Sequence, residues 1–385
     1  KWSQQAVASH LRGMGEARHG AFQKCMEEVG TKKTLKGPYT RDEVTAILGA
    51  SWVPMPRFTI EQNGALRAVD NGSIYGQNST VGVPWKLTLG GVDELAAVAV
   101  AWLKAVKADR TVVFELGDGT VLKGVLHFSW TLKEAMDLVG RLGDMKSAYR
   151  QLAGFPGHAF AAVVAAWDDE VEAPAFFIPR ALLFGEAAAV YGFNRVSRFI
   201  NVVLCRGADL VVTGYYDDFS QLEAERLASS AESTFKRVFD VLGFDLSCEE
   251  NKDKSFGKVF HPLGVEMDLS WSVYGAVQLK PKAGRVQRVM AVSSEVLVKN
   301  EMSVKEARTL SGVLRFLREG HFGRTGAAVL KALSDHSNGS SDLVIDRRLR
   351  EGLEWLICFL PIAPPRNSNA HHAGSVVSIF TDGAV

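Results

Sequence analysis

Apolar and polar positions alternate through "RFTIEQNGALRAVD", Arg57 to Asp70, on both sides of Asn63-Gly64. That alternation around a strong two-residue turn predicts a β-hairpin. "VDELAAVAVAWLKAV", from Val92, is apolar almost all round and predicts a buried helix. "TVVFELGDGTVLKGVLHFSW" predicts a second hairpin turning at Gly117-Asp118-Gly119. "HAFAAVVAAW" and "AFFIPRALLFG" predict a third across the acidic turn "DDEVEAP". A helix from about Glu186 to Cys205 follows, then a strand pair in "VVTGYYDDF".

Ser220-Gln-Leu-Glu223 has the S-x-x-E form of a capping box ahead of a helix carrying Phe235, Val238, Phe239 and Leu242 and stopping at Gly243. "KVFHPLGVEMDLS" predicts a short strand pair. Ser303-Val-Lys-Glu306 is a second capping box, opening a helix with Ala307, Leu310, Leu314 and Leu317 on one face and Gly320 at its end. Arg308 and Arg315, seven apart, share a stripe off that face. Residues 1–45 are polar and basic with weak helical character, and "SDHSNGSSD" and "PIAPPRNSNAHHAGS" are linker-like. Hairpins interleaved with helices define an α+β class rather than a βαβ alternation. No G-x-G-x-x-G or Walker lysine loop is present, which removes dinucleotide and P-loop readings.

At 385 residues, two or more lobes are expected. The longest apolar runs, Leu95–Leu103 and Ala159–Trp167, fall well short of the ~20 residues of a membrane span, so no membrane partner is expected. The chain opens on Lys1 without a charged-then-apolar leader and stops at "SIFTDGAV", and it reads as a segment of something longer. Cys25, Cys205, Cys248 and Cys358 are scattered, with no C-x-x-C. That favours a reducing, intracellular setting over a zinc site or a disulfide scaffold. Net charge is only +1, yet Lys280 to Arg350 holds 14 Lys and Arg against 7 Asp and Glu. Such a tract is either a solvated helical surface or a nucleic-acid footprint.

Two aspartate doublets invite comparison. Asp168-Asp169 lies beside Glu170 and Glu172 ahead of Pro174, as a solvated turn does. Asp217-Asp218 follows apolar Leu210–Val212, is flanked by Tyr215, Tyr216 and Phe219, and has no Lys or Arg between Gly207 and Ala224. Its carboxylates are either structural turn residues or ligands of a hard divalent cation such as Mg²⁺, which carboxylates and substrate phosphates hold together. A third carboxylate, Asp144 in "RLGDMKSAYRQL", would complete a two-metal site for phosphoryl transfer.

With these residues in view, "YYDDF" resembles the Y-x-D-D turn of reverse transcriptases, with Tyr215 as its leading tyrosine. "DMKSAYRQL" is similar to that family's first catalytic segment, Tyr149 following Asp144 by five. "ALLFGEAAAVYGFNRVSRF" resembles its Phe-Gly segment and helix, and "LRAVDNGSIYGQN" its fingers segment with Arg67, Asp70 and Asn78. "LGFDLSCEENKDKS" resembles the stretch ending in Lys254-Ser255, and "HPLGVEMD" the Leu-Gly turn that supports a primer. "SIFTDGA" resembles the first strand of ribonuclease H, with Asp382 as its carboxylate. Order and spacing over Arg57 to Asp382 make this nearest to retrotransposon enzymes of the long-terminal-repeat or tyrosine-recombinase type.

The resemblance implies a right-hand polymerase: an N-terminal extension (1–45), fingers (46–130), an antiparallel palm with helices (131–280), a basic thumb (281–345), a connection (346–375) and a truncated ribonuclease H start (376–385). It implies RNA-directed DNA polymerase activity on an RNA or DNA template–primer with dNTPs and two Mg²⁺ ions, Mn²⁺ being compatible. Asp144 and Asp217 would be the catalytic metal ligands, with Asp218 assisting. Tyr149 would stack beneath the sugar and exclude a 2′-hydroxyl. Arg67, Gly185, Lys254 and Tyr215 would face the nucleotide, and Leu263, Gly264, Arg308 and Arg315 the nucleic acid. Departures from the family pattern are Ala65 where a lysine is common, Glu186 after Gly185, and a missing downstream proline. The alternatives are a catalytically inactive nucleic-acid-binding relative and an RNA-templated RNA polymerase; the second predicts neither an aromatic gate nor a ribonuclease H start.

Overall fold

The predicted hairpins form where the turn residues stand. In the computed structural model, which describes residues 2–62, 64–82, 85–248, 254–317, 320, 326–339 and 343–370, the chain opens with α1 (Trp2–Gly13), α2 (Ala21–Glu27), β1 (Leu35–Tyr39) and α3 (Arg41–Leu48). The hairpin of β2 (Pro54–Gln62) and β3 (Ala65–Asp70) leads to α4 (Val92–Ala105). Next come β4 (Thr111–Glu115), β5 (Val121–Val125), α5 (Leu132–Met136), β6 (Leu138–Asp144), β7 (Val163–Asp168) and β8 (Ala173–Pro179). They are followed by α6 (Ala187–Val202), β9 (Val211–Tyr215), β10 (Asp218–Ala224) and α7 (Ala228–Leu242). Short strands β11 (Lys254–Gly257), β12 (Val259–Phe260), β13 (Val265–Asp268) and β14 (Ala276–Pro281) precede a helical stretch. That stretch is α8 (Ala283–Lys299), α9 (Val304–Leu317), α10 (Ala327–Gly339) and α11 (Arg347–Phe359), followed by β15 (Arg366–Asn369).

These elements fall into two units, each discontinuous in sequence: Lys1–Leu89, Asp144–Val203 and Phe239–Cys248 in the first, and Gly90–Gly143, Leu204–Val238 and Glu249–Val385 in the second. The first is built on a sheet of order β1-β8-β7-β2-β3, antiparallel except where β2 runs parallel to β7. Alternate residues of β7 serve two cores. Val164 and Ala166 meet Ala21 and Cys25 of α2, while Val163, Ala165 and Trp167 meet Val7 and Leu11 of α1 and Val44 of α3. Helices on both faces explain why this strand is continuously apolar.

The second unit holds a sheet of order β11-β6-β10-β9, another of order β12-β13-β14-β15, and the separate β4-β5 hairpin. The α4 face of Val92, Leu95, Ala96, Ala99 and Leu103 shares a core with Leu138, Leu222, Met267, Val277 and Leu279. Helices α8 to α11 enclose their own core, to which Ala307, Leu310, Leu314 and Leu317 contribute as their spacing predicts. The Ser303 capping box forms: Glu306 N donates to Ser303 Oγ at 3.2 Å and Ser303 N to Glu306 Oε2 at 2.7 Å.

Three expectations are corrected. Ser220–Glu223 caps no helix; it lies inside β10, buried on both faces, and α7 starts only at Ala228. Phe219 packs on Phe235 and Leu222 enters the α4 core, so sheet burial overrides the local capping pattern. Residues 334–339, read as linker, end α10, because His336 is buried and its Nε2 lies 2.7 Å from the Met302 carbonyl. Arg366–Asn369, also read as linker, pairs with β14 from Leu279↔Arg366 to Ala276↔Asn369. Residues 1–45, read as polar and basic with weak helical character, hold α1, α2, β1 and the start of α3, and bury Val7, Leu11, Ala21 and Cys25. Asn63 and Asp382 lie outside the described residues.

Burial pushes the Glu223 carboxyl up, and the Ala224 N–H that it accepts at 2.8 Å offsets only part of this. An acid raised in the folded state contributes stability below its unfolded value, and that contribution is lost as pH rises through the folded value. Glu223→Gln is therefore expected to match wild type below the ordinary glutamate range and to melt progressively higher as pH rises to neutral and above. Melting curves across that range check it; a variant less stable at every pH would contradict it. No helix among the described residues is long and apolar enough to cross a membrane.

Candidate functional site

The second doublet occupies the corner it was expected to occupy. β9 and β10 pair antiparallel from Leu222↔Val211 to Asp218↔Tyr215, leaving Tyr216 and Asp217 as the two turn residues. Tyr216 takes φ of 53°, a left-handed corner that lets the strands reverse in two residues. Tyr215 and Tyr216 pack edge-to-face at 5.3 Å between ring centroids, and Tyr215, Asp217 and Asp218 are all half-buried. β10 lies beside β6 in the sheet, and β6 ends at Asp144, whose carbonyl accepts from Ser247 N at 2.8 Å. Lys254 opens β11 on the far side of β6, with its side chain exposed. Oxygen-only donors suit a hard cation, but among the described residues no group of three or more His, Cys, Asp or Glu side chains is assembled to hold one. By contrast, Asp168 Oδ1 accepts from Glu170 N and Val171 N while Asp169 pairs with Arg18 at 3.1 Å, so that doublet is structural.

In the first unit, Tyr149, Gly185, Asp70 and Asn78 come together. Tyr149 lies on the turn Ala148–Gln151, stacked on Phe193 at 4.6 Å and edge-on to the exposed Phe184 at 5.8 Å. Phe184 accepts from Asp70 N at 3.1 Å. Asn78 Nδ2 donates to the Gly185 carbonyl at 3.0 Å, and its Oδ1 accepts from Ala187 N at 2.8 Å, holding the start of α6. Gly185 has φ of 111°, and a Cβ there would collide with the Asp70 carbonyl oxygen. Gly185→Ala is therefore expected to displace this turn and lower the melting temperature by an amount equivalent to about 2–4 kcal/mol. A variant within ~0.5 kcal/mol of wild type, the range of a neutral surface change, would show that the turn yields freely. Glu186 stands at the N-cap; burial pushes its carboxyl up, and the charge of Asp70 adds to this. Arg67 is exposed on β3 opposite Ile60 and takes no part in these contacts.

Sequence reasoning missed a buried charge cluster beneath this group. Arg57, fully buried, donates Nε to Asp70 Oδ1 at 2.8 Å, Nη2 to Asp70 Oδ2 at 3.1 Å and Nη1 to Glu28 Oε1 at 3.1 Å. Burial opposes the Arg57 charge, but Asp70, Cys25 and Glu28 outweigh it, and the net direction is up. Burial pushes the neighbouring Cys25 thiol up to about 12. The one signal in the sequence is an arginine inside the apolar run "SWVPMPRFTI".

The Leu263-Gly264 turn joins β12 to β13 with both residues at positive φ, 49° and 75°. Arg285 of α8 donates to the Leu263 carbonyl at 3.1 Å and lies over the ring of Phe316. Its guanidinium occupies the space that a Gly264 side chain would need. Arg308 and Arg315 are exposed on α9, off the buried face.

This fold is reverse-transcriptase-like. Foamy viral protease-reverse transcriptase has it in two solved complexes: the dRH form with double-stranded DNA, at TM-score 0.54 and 11% identity, and the protease-reverse transcriptase with double-stranded DNA, at 0.52 and 12%. Each match covers 89% of this chain and 48% or 57% of the viral one, so the chain spans about half the length of those proteins. No family model and no curated protein matches the sequence.

Proposed function

We propose that this chain is the polymerase portion of a retroelement-type RNA-directed DNA polymerase, adding dNTPs to a primer 3′-hydroxyl on an RNA or DNA template. The observation that carries this reading is the reverse-transcriptase-like fold combined with a two-residue hairpin corner that bears Asp217-Asp218. Residues 46–130 are proposed as fingers, 131–280 as palm, 281–345 as thumb and 346–375 as connection.

Asp144 and Asp217, assisted by Asp218, would supply the oxygen donors for two Mg²⁺ or Mn²⁺ ions. When bound, such ions offset negative charge on phosphate and ease deprotonation of a hydroxyl. The remaining roles belong to the chain. Tyr149, held between Phe184 and Phe193, would pack beneath the sugar and exclude a 2′-hydroxyl. Gly185, with no side chain, would admit the template–nucleotide pair, and Tyr215 would face the nucleotide. Arg67 would hold the triphosphate and Lys254 would deliver a proton to pyrophosphate. Leu263 and Gly264 would support the primer end, and Arg308 and Arg315 would grip phosphates without regard to sequence.

A second reading, an inactive nucleic-acid-binding relative, rests on the same fold, because both solved neighbours hold double-stranded DNA. Primer extension on an RNA template with Mg²⁺ or Mn²⁺ and dNTPs separates the two. Elongated primer supports the polymerase; retention of primer–template without elongation under either metal supports the binder. Tyr149→Ala should raise ribonucleotide incorporation, and unchanged sugar selection would remove that role from Tyr149.

A further inference from the structure

The buried charges under Tyr149 join segments far apart in the chain. Arg150, next to Tyr149, donates Nη2 to Asp70 Oδ2 at 3.1 Å, lies 3.3 Å from Glu28 Oε1, and donates Nη1 to the Leu182 carbonyl at 3.3 Å. Glu28, just beyond α2, also accepts from Thr34 Oγ1 at 3.1 Å. Asp70 in turn holds Phe184 through its backbone N–H and abuts Gly185 through its carbonyl. Two guanidinium groups and two carboxylates thus balance in charge inside the first unit, with Arg57 the most enclosed. A buried ion cluster adds little net stability over apolar residues of the same volume. What it does supply is fixed geometry, because each planar fork accepts its partners only from set directions.

We propose that Arg150, anchored by Glu28 and Asp70, is a positioning residue that sets Tyr149 against the Phe184-Gly185 turn and thereby tunes sugar selection, making the segment before residue 46 part of the nucleotide site. This rests on the polymerase reading. Nothing in the cluster touches substrate; it acts through the ring of Tyr149 and the backbone of Gly185. A shift of ~1 Å in such a platform is enough to cost up to ~10²-fold in a reaction.

The test is primer extension with dNTPs and with rNTPs by wild type, Arg150→Lys and Glu28→Gln, with Lys24→Gln on the exposed face of α2 as control. Arg150→Lys keeps the charge and loses the fork; Glu28→Gln keeps the shape and loses the charge. Both are expected to raise KM for dNTPs and to lower the dNTP-over-rNTP preference by about tenfold, while kcat at saturating dNTP changes by less than ~threefold. Preference is a ratio measured on whatever fraction is folded, so partial misfolding leaves it unaltered. Wild type that extends primers beside variants of unchanged preference and KM overturns the inference alone. Wild type that binds primer–template and extends nothing overturns the polymerase reading and this inference together.

Discussion

Asp217→Asn is expected to reduce templated primer extension by at least about 10³-fold while leaving the melting temperature close to that of wild type. Asparagine has the same size and shape but lacks the negative charge, so it removes ligand chemistry without removing volume. The hairpin has reason to survive, since its register rests on five pairs from Leu222↔Val211 to Asp218↔Tyr215 and its corner on the backbone of Tyr216. Asp168→Asn is the matched control, because that aspartate serves only its own exposed turn. Single-turnover extension with thermal melting of both variants reads the result. Asp217→Asn retaining more than roughly a tenth of wild-type activity, a loss too small for a removed metal ligand, would dismiss the catalytic role.

The largest stability effect is expected at Arg57. Arg57→Met fills much of the same volume but strips Asp70 of both its Nε and Nη2 donors and Glu28 of one. Arg150 alone then faces two buried carboxylates. Removing one partner from a buried ion cluster costs about 3–5 kcal/mol, far more than the cluster gains over an apolar equivalent, because the remaining charges lose their compensation without returning to water. Urea unfolding measures this, and Arg57→Lys should recover only part of the loss, since a single ammonium cannot satisfy the bidentate geometry. A loss below ~1 kcal/mol, the scale of a surface ion pair, would mean that solvent reaches these carboxylates.

Two matching patterns show where local reading stops. Ser303-x-x-Glu306 and Ser220-x-x-Glu223 carry the same signal, yet one caps α9 and the other lies inside a strand. The difference is what covers each segment. Ser303 precedes a helix with one buried stripe, whereas β10 has Phe235 on one side and the α4 core on the other. Similarly, Asn78 and Gly185 were legible as separate motif residues, but their hydrogen bond spans 107 residues of chain.

The sequence by itself determined the hairpins, their corners and the helix faces: period-two alternation, left-handed turn residues and i, i+3, i+4 spacing act over a few residues. It therefore also placed Asp217-Asp218 at a strand corner. Only the tertiary structure decided that α1 and α2 pack into the core of the first unit and that Arg57 is buried. Arg57 is separated from Asp70 by 13 residues and from Glu28 by 29, and Arg150 from Asp70 by 80. A charge can be withdrawn from water only where its partners arrive, and no local preference of the backbone carries that information.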